Sequence, residues 1–231
     1  MQDELNVGRN IQMSMVPQTF PPFPESSEFS IHAALHPARE VGGDFYDFFF
    51  IDESRLCMCI GDVSGKGVPA ALFMAVTRTL IKARATDDVS TASIMTRVND
   101  ELSRNNKQYM FVTVFIAILN VVTGKLTYSN AGHNPSYIKR SDGEMVRLDA
   151  RHGVVLGASA GLAYKEDNVQ LHQGDLLFMY TDGVTEARNP DKVFFGEDRL
   201  AELLASRDYE SMEAVVGYIV EQAKSFEDDA E

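Results

Sequence analysis

Cysteine is nearly missing from this sequence of 231 residues. The two present, Cys57 and Cys59, stand in one apolar run, too few for a disulfide framework or a four-cysteine zinc set. They read as small residues of a reducing compartment. Positive charge is also short: 21 Lys and Arg against 34 Asp and Glu leave a net charge of −13, a poor surface for a nucleic-acid backbone, which needs clustered basic groups. No membrane-spanning run is present. The longest apolar stretch, residues 111–122, is interrupted by Thr113 and Asn120 and falls short of the ~18–20 residues a bilayer requires. The opening Met-Gln-Asp-Glu-Leu lacks the basic and apolar regions of a signal peptide. Disorder is disfavoured too, because 45% hydrophobic and 24% charged residues are ordinary globular proportions. These absences predict a soluble, cytoplasmic globular protein.

What is there organises into a mixture of strands and helices. A short helix is expected over residues 5–15, stopped by Pro17, Pro21, Pro22 and Pro24. Phe29, Ile31, Ala33 and Leu35 alternate with less apolar residues, the pattern of a half-buried strand. Two β-rich runs, 45–51 and 55–61, flank the polar turn Asp52-Glu53-Ser54. Pro69 opens a helix to about 83, and Ser90 is a suitable cap for another reaching about 104. Hairpins are expected at 111–119 with 125–131, and at 136–140 with 144–148. Strands at 168–171 and 175–181 and helices at 197–205 and 211–224 complete the chain. Strands joined by hairpins with helices in pairs indicate an α+β sandwich, not a parallel doubly wound sheet.

The strongest chemical signal is a pair of carboxylates. A hairpin centred on Glu53 places Asp44 and Asp62 nine residues either side of the centre, directly opposed, with Cα atoms about 4.5–5.5 Å apart. Taken singly, either is an ordinary turn residue. As an opposed pair of like charges flanked by Gly42-Gly43 and Gly61, they call for a compensating cation, with the glycines leaving room for close approach. Asp47 has the opposite parity and is expected on the other face. Asp182, in Thr181-Asp182-Gly183, also ends an apolar strand beside a glycine, although nothing local shows that it meets the first pair. Three carboxylates without partnered Cys or His favour Mg²⁺ or Mn²⁺ over zinc.

Other signals are weaker. Gly61-Asp-Val-Ser-Gly65-Lys66-Gly67 fails the P-loop spacing in either alignment. Its glycines instead let a loop bend over an ion and lead into the helix near Val68, whose N-terminus favours an anionic ligand. His32, His36, His152 and His172 carry no catalytic signature. His133, in Asn130-Ala-Gly-His-Asn-Pro135, ends a strand in a turn and is the histidine with the best claim to lie near a site. No Ser/His/Asp or Cys/His nucleophile arrangement is discernible, and Phe73 and Met74 read as core.

Four segments occur in order: Pro37-Ala-Arg-Glu-Val-Gly-Gly-Asp-Phe-Tyr-Asp47, Gly61-Asp-Val-Ser-Gly-Lys-Gly-Val-Pro-Ala-Ala71, Asn130-Ala-Gly-His-Asn-Pro135 and Thr181-Asp-Gly-Val-Thr-Glu-Ala187. Together they resemble the SpoIIE/RsbU branch of the PPM-type, metal-dependent serine/threonine protein phosphatases, over residues 11–226. The resemblance implies two packed, mainly antiparallel sheets flanked by helix pairs. It implies two Mn²⁺ or Mg²⁺ ions, with Asp62 bridging both, Val63 offering its carbonyl, Asp44 serving one ion and Asp182 the other. The implied reaction is hydrolysis of phosphoserine or phosphothreonine by a water that the paired ions, about 3.5–4 Å apart, activate, with no side-chain nucleophile. The implied substrate is a phosphorylated regulatory protein, an anti-sigma-factor antagonist of STAS type. Arg39 is a candidate phosphate contact and equally a surface charge.

On this likeness residues 1–24 are a connector helix and proline-rich linker, and 25–231 the phosphatase domain. The connector implies an upstream sensor or receiver domain in a parent protein that could be membrane-anchored, and its helix is a candidate homodimer contact. Two departures stand out. Val63-Ser64-Gly65 lacks the histidine that some relatives carry after the bridging Asp, which leaves the general acid unassigned. The chain ends Phe226-Glu-Asp-Asp-Ala-Glu231, where the family usually has an Asp-Asp-Ile-Thr-like strand completing a metal site; the domain is therefore expected to lack its final strand and to hold one ion weakly. The competing expectation is a catalytically impaired phosphatase-like binding module. A nucleotide-using enzyme is disfavoured by the failed P-loop match.

Overall fold

β-branched and aromatic residues dominate the strand segments, while the helical segments carry apolar residues three and four apart, and the chain sorts accordingly. The computed structural model describes residues 2–37, 40–87, 90–104 and 106–228. In chain order the first elements are α1 (Gln2–Met15), β1 (Phe45–Phe50), β2 (Arg55–Val63), α2 (Val68–Asp87) and α3 (Thr91–Ser103). There follow β3 (Val112–Asn120), β4 (Lys125–Ala131), β5 (Ser136–Lys139), β6 (Met145–Leu148), β7 (Asp167–Gln170) and β8 (Leu176–Phe178). The chain closes with α4 (Asp182–Thr185), α5 (Glu197–Ala205) and α6 (Met212–Asp228). All strand pairs are antiparallel, and the class is α+β.

The chain divides into two units. The first takes Met1–Thr19, Leu35–His133 and Ala150–Leu171 and holds a five-stranded sheet in the order β1-β2-β3-β4-β7. Side-chain alternation gives this sheet two faces. Phe45, Phe49, Cys57, Cys59, Val112, Val114 and Ile116 project from one face into a core with Met74 and Ile81 of α2 and Ile94, Met95 and Val98 of α3. α3 starts as its sequence demands: Ser90 caps it, its hydroxyl accepting from Ser93 N–H at 3.2 Å. Glu166 adds a second lock, accepting from Ser90 Oγ, Thr91 Oγ1 and Ala92 N, each at 2.9 Å. α1 belongs to this unit. Gln12 donates to Gly42 O at 2.6 Å and accepts from Gly42 N at 3.1 Å, and Val16 enters the core.

The second unit takes Phe20–Ala34, Asn134–Asp149 and His172–Glu231. Its three-stranded sheet has the order β6-β5-β8, and Tyr137, Phe178, Phe195, Leu200, Leu204, Val215 and Ile219 form its core with α5 and α6. Arg140 ties the end of β5 to the start of β8 through Asp175 at 2.6 Å.

Two sequence expectations need correction. Residues 29–37 form no strand. Phe29, Ile31, Ala33 and Leu35 are half-buried as their alternation requires, yet no ladder forms along them among the described residues. The expected strand 175–181 is cut to Leu176–Phe178, and Asp182 opens the short helix α4.

Candidate active site

The hairpin that carries the first carboxylates is set by its turn. Asp52 Oδ1 accepts from Ser54 N at 3.0 Å and Arg55 N at 2.9 Å, and its Oδ2 from Arg55 Nε at 2.6 Å. Those bonds hold the Asp52 carboxyl well below the usual carboxylate range, the Arg55 contact contributing most. With the turn fixed, the register runs from Phe50↔Leu56 to Phe45↔Gly61, symmetric about Glu53. Asp44 and Asp62 are the next residues beyond that register, Asp44 just before β1 and Asp62 within β2, and both are half-buried. Asp62 is in turn the register partner of Thr113 across β2 and β3. Directly opposed residues share a face, so Asp62 and Thr113 stand in one row, on the face opposite the helix-side core. Asp47 lies on the helix side, 2% exposed, with Arg78 Nη2 at 2.8 Å from its Oδ2.

The row continues to His133, the histidine singled out from the sequence. Its Nδ1 lies 2.8 Å from Thr113 Oγ1, and the residue is 4% exposed. Asn130 fixes the turn from both sides, accepting from His133 N at 2.8 Å and donating to His133 O at 3.1 Å. His152 supports that turn, its Nδ1 accepting from Asn130 N at 3.0 Å. No local pattern singles out Thr113 in the sequence; its place emerges only once β2 is paired with β3.

The glycines beside the carboxylates act differently from expectation. A Cβ at Gly43 would stand 2.7 Å from the Val63 carbonyl oxygen, and one at Gly61 2.6 Å from the Phe45 ring and 2.8 Å from Thr113 O. Their missing side chains admit the protein's own backbone and a ring, not a ligand. Open space lies instead at Gly65 and Gly67, at φ +86 and +74, where a Cβ would meet nothing within 4 Å. There the loop turns into α2, whose first-turn bond runs from Ala71 N to Gly67 O at 3.0 Å.

Asp182 is carried by the second unit, as the first residue of α4; its carbonyl accepts from Glu186 N at 2.7 Å. Arg39 lies outside the described residues, as does Asp229. Among the described residues no group of three or more His, Cys, Asp and Glu side chains forms a metal cage. The oxygen donors the first unit offers are the Asp62 carboxylate on β2, the Asp44 carboxylate one residue before β1, and the Val63 carbonyl beside Gly43. All are hard oxygens, a set that suits Mg²⁺ or Mn²⁺. Cys57 and Cys59 lie on the other face, and burial pushes both thiols far up, so neither is poised as a nucleophile or soft ligand.

The antiparallel sheets and their helices define the PP2C class of fold, that of the PPM-type serine/threonine protein phosphatases. It is shared with the SiaA PP2C domain of Pseudomonas aeruginosa (TM-score 0.83, 21% identity, 99% of this chain and 91% of that one). RsbX, solved in complex with magnesium, shares it at a TM-score of 0.59 and 20% identity, covering 82% of each chain. Residues 52–231 match the family of stage II sporulation protein E (SpoIIE), and the chain belongs to that family. It is 34% identical over 230 residues to Protein IcfG of Synechocystis sp., covering 88% of this chain and 36% of that protein. It is 28% identical over 229 residues to phosphoserine phosphatase RsbU of Bacillus subtilis, covering 99% of this chain and 67% of that protein. The chain thus spans between about a third and two thirds of the length of these relatives. Among the described residues no helix is long and apolar enough to cross a membrane.

Proposed function

We propose that this domain hydrolyses phosphoserine or phosphothreonine on a regulatory protein and requires a divalent cation to do so. The observation that carries the reading is the β1–β2 register symmetric about Glu53, which ends at Phe45↔Gly61 with Asp44 and Asp62 as the next residues along the two segments, in a chain of the SpoIIE family. Asp62 is proposed to hold two ions at once, with Val63 offering its backbone carbonyl, Asp44 serving one ion and Asp182 the other. Mn²⁺ or Mg²⁺ bound there would supply the positive charge that polarises the phosphoryl group and lowers the pKa of a water. The chain's own part is to aim the carboxylates from a rigid hairpin and to leave the reaction free of a side-chain nucleophile. In the hydrolysis the serine or threonine P–O bond breaks, water supplies the new oxygen, and the free hydroxyl and inorganic phosphate leave. Arg39 is proposed as a phosphate contact.

The name of RsbU, a phosphoserine phosphatase, supports a signalling phosphoprotein as substrate, and a STAS-type anti-sigma-factor antagonist is the class we propose. The greater length of the relatives supports reading the domain as one module of a longer protein with an upstream sensor or receiver. A second copy is proposed to pair along α1, which leaves Val7 57% and Ile11 53% exposed one turn apart. One observation favours a second reading, a phosphatase-like binding module: no three-ligand side-chain cage forms among the described residues.

The test is phosphate release from a phosphorylated STAS-type protein. Turnover with Mn²⁺, stopped by EDTA and lowered at least about 100-fold in Asp62→Ala, is expected. Binding of the phosphoprotein without turnover in the wild type supports the binding module instead.

A further inference from the structure

We infer that Thr113 and His133 form a positioning pair for Asp62, holding its carboxylate in the geometry that cation binding requires. The inference rests on the proposed metal-dependent reading. Thr113 is the register partner of Asp62, so its side chain stands beside the carboxylate on the same face, with Cβ atoms about 4.5–5.5 Å apart. It is the one hydroxyl in β3, whose sequence is otherwise Val, Phe, Ile, Ala and Leu up to the closing Asn120. A threonine has few χ1 choices, and here the choice is made by His133, with Nδ1 at 2.8 Å from the hydroxyl. The other partner of that hydroxyl, the Asp62 backbone carbonyl, accepts at 3.4 Å, a longer and weaker contact. His133 therefore sets the rotamer of the one β3 hydroxyl that stands opposite Asp62.

His133 is itself tightly held. It is buried, its backbone bonds Asn130 in both directions, and Asn130 is anchored by His152. Replacing both partners of a buried polar pair by apolar groups of the same shape can be nearly neutral or stabilising, so packing alone does not require this one. Partners standing behind a metal ligand fix its orientation, and their loss typically weakens metal affinity 10–100-fold.

The experiment measures Mn²⁺ binding to the cation-free protein by calorimetry, together with melting temperature, kcat and KM, for Thr113→Val, Thr113→Ser, His133→Leu, His133→Asn, the double variant Thr113→Val/His133→Leu, and Asp62→Asn. Thr113→Val and His133→Leu are expected to raise the Mn²⁺ Kd about tenfold or more and to lower kcat while the phosphoprotein KM stays put. Thr113→Ser, which keeps the hydroxyl, and His133→Asn, which keeps a polar atom where Nδ1 stood, are expected to restore affinity. The double variant is expected to be no worse than either single one, because the two residues act as one unit. Thr113→Ala carries the same test if Thr113→Val does not fold. Wild-type Mn²⁺ affinity in Thr113→Val and His133→Leu, with only the melting temperature lowered, overturns the inference, as does full additivity in the double variant. When Asp62→Asn loses Mn²⁺ and these variants do not, this inference alone fails. When Asp62→Asn binds Mn²⁺ like the wild type, the metal-site reading fails and takes the inference with it.

Discussion

Arg78 on α2 places Nη2 2.8 Å from Oδ2 of Asp47 on β1, a charged pair sealed on the helix side of the five-stranded sheet. Burial pushes the Asp47 carboxyl above its ordinary value, and Arg78 and Lys82 offset only part of that. Asp47→Ala leaves the partly buried Arg78 guanidinium without its partner and is expected to destabilise the domain by about 2–4 kcal/mol. Asp47→Leu with Arg78→Met removes both charges and should recover most of the loss in urea unfolding. If the double variant is no more stable than the single one, the pair is not the source of the effect.

Glu166 predicts a pH dependence. Burial pushes its carboxyl up, but bonds from Ala92 N–H, Thr91 and Ser90 outweigh it and leave the group below its ordinary 4.5. A carboxyl depressed on folding contributes stability that is present above the unfolded value and lost as pH falls from there through the folded value. Melting temperature should therefore drop with acid below about pH 4.5, and Glu166→Gln should flatten that limb while losing about 1 kcal/mol near neutrality. An unchanged acid limb in the variant refutes the assignment.

Glycine substitutions separate close packing from backbone conformation. At Gly43 the obstacle is the Val63 backbone, 2.7 Å from an added Cβ, and Gly43→Ala should lower stability by about 1–3 kcal/mol. At Gly65 the space is open but φ is +86, so Gly65→Ala should lose only about 1 kcal/mol. Hydrogen exchange should quicken along β1 and β2 in the first variant and stay native-like there in the second. The reverse order of the two losses contradicts the geometry.

Val7 and Ile11 lie exposed on α1. If a second copy covers them, sedimentation should show a dimer for the wild type and a monomer for Val7→Glu/Ile11→Glu, with little change in melting temperature. A wild type that stays monomeric at high concentration ends that proposal.

Local features of the sequence carried a large share of this fold. The turn at Asp52-Glu53-Ser54 fixed the β1–β2 register, Ser90 announced α3, and α5 begins and ends where its periodicity does. What failed was non-local. Alternation at Phe29, Ile31, Ala33 and Leu35 reveals which side chains turn inward, not whether a neighbouring strand exists to pair with. The glycines flanking Asp44 and Asp62 promised ligand space, but Val63 and Phe45 fill it. Of the candidate site, the position of Asp62 on β2 opposite the start of β1 and that of His133 in its strand-end turn were legible from turn chemistry. Thr113 was not, because its role depends on a strand pairing 51 residues apart.

The most direct test of the account is the anomalous scattering of manganese in crystals of this domain soaked in Mn²⁺. The account predicts two peaks about 3.5–4 Å apart, both touching the Asp62 carboxylate, one also touching Asp44 and the other Asp182. Manganese bound elsewhere, with none at Asp62, would contradict it.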